Sequence, residues 1–86
     1  MENSQTTDKE SLCLEYYDCI MTCELSVAMA RKFGEYENKA LRSCCKMLAK
    51  RIKNDSIKRI FKGVQKANYP VGALAKIRRE FDEACG

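Results

Sequence analysis

The chain has 86 residues, 45% of them hydrophobic and 33% charged, with a formal net charge of +4. That composition excludes a disordered segment, and the length excludes a second compact domain. No apolar run nears the roughly 18 residues of a membrane span, and the polar opening MENSQTTDKES has no secretory pattern. The setting expected from this is cytoplasmic or otherwise intracellular.

Residues 1–7 read as a flexible N-terminus and 8–86 as a single helical domain. Thr7 to Glu10 fits a capping box, in which the hydroxyl and the carboxylate each satisfy an orphan backbone N–H at the start of a helix. From there to Phe33, the residues Leu12, Tyr16, Cys19, Ile20, Cys23, Val27 and Ala30 recur at helical spacing, which predicts a first helix over about 8–33. Gly34 suits the left-handed position that closes such a helix. A second helix over about 35–53 follows, with Glu35 and Glu37 at its positive end and Leu41, Cys44, Cys45, Leu48 and Ile52 facing inward. The run Asn54–Ser56 stops it. A third, short helix over about 56–67 carries Ile57, Ile60, Phe61 and Val64 on one side. Pro70 then opens a fourth helix over about 70–84, with Val71, Leu74, Ile77, Phe81 and Ala84 inward. No alternating apolar–polar run supports a strand. The expectation is an all-α, compact four-helix bundle built on a long helical hairpin.

Six cysteines punctuate this pattern. With Gly34 as the turn, Cys23 and Cys45 lie equally far from it on the two arms, at one height. Cys19 is a helical turn farther along, and Cys44 neighbours Cys45. Three readings compete for this cluster of Cys19, Cys23, Cys44 and Cys45: small apolar side chains filling a helix seam, an interhelical disulfide, or a thiolate metal site. The first is preferred. Adjacent residues on a helix diverge by about 100°, the chain has no histidine, and no export signal points to an oxidising compartment. No metal or cofactor is expected.

Charge is unevenly placed. Residues 1–24 hold six acids against Lys9 alone, whereas residues 31–79 hold fifteen bases against three acids. Lys39, Arg42, Lys46, Lys50 and Lys53 fall at spacings of three and four on the second helix, and Lys58, Arg59, Lys62 and Lys66 follow on the third. Such ridges either solvate the outside of a bundle or attract a phosphate backbone. The fourth helix adds Lys76, Arg78 and Arg79. Its opening, PVGALAK, lacks the Asn, Gln or Arg of a base-reading helix.

The first helix carries a second apolar stripe, Leu14, Tyr17, Met21, Leu25 and Met29, nearly opposite its core face. An isolated bundle needs one apolar stripe per helix, so the second is either covered by the short helices or meets another molecule. Catalysis has little support, because there is no histidine base, no phosphate loop and no paired-carboxylate site. The expected function is therefore a non-enzymatic protein-interaction module, an adaptor, inhibitor or chaperone-like regulator. It would pair with itself or with a protein partner through the first helix, with no small-molecule substrate. The alternative is a nucleic-acid-binding regulator using the ridges of helices two and three.

Overall fold

Four helices in chain order, α1 (Ser4–Lys32), α2 (Glu37–Arg51), α3 (Asp55–Lys66) and α4 (Pro70–Cys85), form an all-α bundle. The computed structural model describes the backbone of residues 4–85 and the side chains of residues 9–85. The capping box expected at Thr7–Glu10 and the tail expected over 1–7 fall largely outside these side chains; the helical backbone itself begins at Ser4. The other boundaries lie within two residues of the sequence reading; α2 stops at Arg51 and leaves Ile52 as its C-cap.

Each turn has a local chemical cause. At the end of α1, Gly34 adopts φ 71°, the left-handed conformation that glycine takes without a Cβ penalty. The Glu35 N–H then donates to the Ala30 carbonyl at 2.8 Å and the Gly34 N–H to that of Arg31 at 3.3 Å. This is the double closure of a Schellman turn. Across the turn, Arg31 donates through Nε to Glu37 Oε1 at 2.8 Å, joining the last turn of α1 to the first of α2. Asn54 caps α3, its Oδ1 accepting from the Ile57 N–H at 3.0 Å. The start of α4 is capped from a distance, by Asn38 Oδ1 of α2 accepting from the Val71 N–H at 3.0 Å.

The core runs along the α1–α2 seam and onto one side of it. Cys19, Ile20, Cys23, Val27 and Ala30 of α1 meet Leu41, Cys44, Cys45 and Leu48 of α2. Ile57, Phe61 and Val64 of α3 and Leu74, Ile77 and Phe81 of α4 close over them. Each such side chain contributes about 1.5–3 kcal/mol by leaving water. Tyr16 joins the layer edge-on, with ring centroids 5.2 Å from Phe81 and 6.2 Å from Phe61. Two residues read as inward are not: Leu12 is 40% exposed, and Ala84 faces solvent. Both lie toward the end of the bundle where α1 outruns the shorter α2. At about 1.5 Å per residue α1 is roughly 43 Å long and α2 roughly 22 Å.

That end is fastened differently from the sequence expectation. Cys13 of α1 and Cys85 of α4 form a disulfide, with Cα atoms 6.0 Å apart and a sequence separation of 72. The disulfide considered within the central cluster is absent: Cys19, Cys23, Cys44 and Cys45 are free, buried thiols. The correction follows from topology. α4 runs back along α1 and delivers the last cysteine to the thirteenth residue, a pairing that spacing within the hairpin does not reveal.

Candidate protein-docking groove

The two short helices pack on the same side of the α1–α2 hairpin, so the other side is left open. A groove of about 1010 Å³ runs along it, with Leu25, Met29 and Phe33 on the α1 wall and Tyr36, Ala40 and Met47 on the α2 wall. The exposure is large: Leu25 63%, Met29 46% and Phe33 64%. Ser26 and Cys44 lie at its floor, and Lys39 and Glu35 are the charged residues in its lining. The Lys32 ammonium sits 6.0 Å from the Phe33 ring, adding a cation at the α1 edge. Lys46 and Lys50 follow Ser43 and Met47 by three residues on α2, so they stand on the same flank.

The stripe expected on α1 is thereby divided. Leu25 and Met29 come together in the groove, whereas Leu14 is exposed toward the disulfide end. Tyr17 and Met21 lie on the α4 side. The Tyr17 ring is 5.8 Å from that of Phe81, and the Arg78 guanidinium lies 5.8 Å from the Tyr17 centroid and 3.9 Å from Met21 Sδ. Arg78 is held there by Glu24 at 2.9 Å and Asp82 at 3.4 Å. Phe33, Tyr36 and Met47 were missed as groove residues. The signal for Met47 was present, since Ala40, Cys44 and Met47 make a stripe at spacings of four and three beside the α2 core face.

The ridge residues also separate. Arg42 is turned onto α3, donating to the carbonyls of Gln65 at 3.2 Å and Ala67 at 3.0 Å. Lys39 belongs to the groove lining. Lys46 and Lys50 of α2, Lys53 just beyond it, and Arg59, Lys62 and Lys66 of α3 are exposed, and Lys58 is half-buried.

Beneath the groove Cys23 of α1 faces Cys44 and Cys45 of α2 within the buried core. The Cys23 thiol lies within hydrogen-bonding reach of both Cys44 and Cys45. Its pKa is raised, first by those hydrogen bonds, which a thiolate could no longer donate, and then by burial. Cys44 moves the other way: the Cys23 hydrogen bond lowers its pKa, burial opposes this, and Arg51 and Ser26 assist. Cys19 is pushed up to about 11 by burial and by Glu15 and Asp18. Among the described residues no three side chains of the metal-ligating types converge on a cation site, and no helix is long and apolar enough to cross a membrane.

A four-helix domain with one uncovered hairpin face is a class defined by architecture, and similarity narrows it to a family. The chain belongs to the family described as Domain of unknown function (DUF7740), whose model matches residues 14–82. Cys13 and Cys85 lie just outside the matched span. No curated protein and no solved structure matches the chain.

Proposed function

We propose that the chain is a non-enzymatic protein-interaction module whose partner at the groove is a second copy of itself. The observation that carries this reading is the placement of α3 and α4 on one side of the hairpin, which leaves Leu25, Met29, Phe33, Tyr36 and Met47 in water. Exposed apolar surface of this kind is costly unless it is covered, and flexible methionines suit a surface that must adapt. Charge selects the occupant. Lys32, Lys39, Lys46 and Lys50 flank the groove, while α1 carries five acids and one base up to Glu24, with Leu14 and Leu12 exposed among them. Two-fold pairing sets the acidic arm of each chain against the basic groove of the other, satisfying both contacts at once.

Sedimentation of the wild-type chain should give a two-chain mass that falls toward one chain on dilution or in high salt. Leu25→Lys should give one-chain mass with unchanged helicity. A wild-type chain that stays monomeric at every concentration overturns the reading. A dimer that survives Leu25→Lys relocates the interface.

A second reading rests on the exposed cations Lys46, Lys50, Lys53, Arg59, Lys62 and Lys66. They supply the counterion-releasing contacts of a nucleic-acid binder. It requires binding to duplex DNA or structured RNA that weakens steeply with salt, and a Lys46→Glu, Lys50→Glu variant with lower affinity and a shallower salt slope. Affinity and slope both retained in that variant would exclude the ridge as the binding surface.

A further inference from the structure

We propose that Cys44 and Cys23 are a redox-active dithiol at the floor of the groove, oxidised stoichiometrically to an interhelical disulfide by a low-molecular-weight disulfide such as oxidised glutathione. Three observations converge on this pair. Cys44 is only 6% exposed, yet it is the one free cysteine in the groove lining, between Ser26, Ala40 and Met47. The cleft in front of it, about 1010 Å³, is large enough to admit a small peptide disulfide. Behind it, on the facing helix, Cys23 belongs to the same buried cluster and neighbours Cys44, with no solvent exposure of its own. An outer thiol with an inner partner is the arrangement of an attacking and a resolving cysteine.

The protonation states agree with those roles. Arg51, Ser26 and the Cys23 S–H favour the thiolate of Cys44, whereas Cys19 and Cys23 are held as thiols. Cys45 also neighbours Cys23 but is fully buried and does not line the groove. Metal capture is the other use of clustered thiols, and no three ligands converge here among the described residues.

The chemistry balances with the disulfide reactant alone. The Cys44 thiolate attacks one sulfur of the reactant; the new bond is a mixed disulfide, and one thiolate leaves. Cys23 gives up its proton, and its sulfur attacks Cys44 Sγ, expelling the second half of the reactant as a thiolate that takes up a proton. Two protein thiols are oxidised to one disulfide, and one small disulfide is reduced to two thiols. The product ties α1 to α2 directly under the walls formed by Leu25, Met29 and Met47, so oxidation fixes the width of the groove.

The test uses the full chain with Cys13–Cys85 intact. Native protein is incubated with oxidised glutathione, quenched in acid, alkylated, and mapped by peptide mass spectrometry. The expected sequence is a transient glutathione adduct on Cys44, then loss of two hydrogens with a Cys23–Cys44 link, while Cys19 and Cys45 stay alkylatable. Cys23→Ser should stop at the Cys44 adduct, and Cys44→Ser should take up no glutathione. Failure of all four thiols to react in the folded protein overturns the proposal, as does first reaction at Cys19 or Cys45. Because the readout is a covalent map, it stands or falls separately from the oligomeric mass.

Discussion

The guanidinium of Arg42 closes the C-terminal end of α3 through Ala67, donating to its carbonyl at 3.0 Å and, through Nε, to that of Gln65 at 3.2 Å. The last carbonyls of a helix have no partner of their own, and a cation there also meets the negative end of the helix dipole. Arg42→Ala should therefore lower the unfolding free energy by about 1–2 kcal/mol, the range for charge-assisted hydrogen bonds reduced by solvent exposure. Arg42→Lys should not restore it, because an ammonium lacks the planar fork that spans two carbonyls. Urea unfolding of the two variants measures both effects, and an unchanged midpoint in Arg42→Ala would make the contact incidental.

The Cys13–Cys85 link spans 72 residues in sequence. Cross-linking so long a loop restricts the unfolded chain and contributes about 2–4 kcal/mol by general experience of such links. Reduction, or Cys13→Ser with Cys85→Ser, should lower the urea midpoint accordingly. Hydrogen exchange should accelerate first at the end of α4 and in the neighbouring turns of α1, where few other contacts hold the helices.

Two glycines should respond oppositely to alanine. Gly63 is inside α3, and a Cβ there would meet nothing within 4 Å. Gly63→Ala should stabilise the chain by about 0.5–1 kcal/mol through helix propensity alone. Gly34 also has open space around it, but its φ of 71° disfavours any side chain. Gly34→Ala should cost about 1 kcal/mol by the left-handed penalty. Thermal melts of both variants decide the matter.

Alkaline solution should weaken the fold through Cys19. Its thiol is raised from 9.0 to about 11, so the folded chain holds this proton more tightly than the unfolded chain does. The stabilisation is complete below pH 9 and is lost as pH climbs through about 11. Cys23 and Tyr16 shift in the same direction. The urea midpoint measured across that window should fall, and Cys19→Ala should flatten the slope. An equal slope in that variant would assign the loss to other groups.

Helix content and most of the core were legible because burial follows the 3.6-residue period. Ile20, Cys23 and Val27 on α1 and Leu41, Cys45 and Leu48 on α2 could be named from spacing alone. Periodicity marks a stripe without saying which neighbour covers it. Tyr17 and Leu25 therefore looked alike in sequence, although Tyr17 leans on Phe81 and Leu25 on no short helix. The ends of the bundle were less legible for the same reason. Leu12 fits the inward face, but α2 is too short to reach it. The capping of α4 by Asn38 and the pairing of Cys13 with Cys85 depend on the path of the fourth helix, which no local pattern encodes.

The bond between first and last helices also makes the backbone from Cys13 to Cys85 a covalent circuit. A protease that cuts the exposed turn at Phe33–Tyr36 opens the circuit without dividing it. The two pieces would travel as one species in a denaturing gel and separate only when reductant is added. Cleavage at that turn, invisible without reductant, thus reports directly on whether Cys13 and Cys85 are joined in protein taken from its native setting.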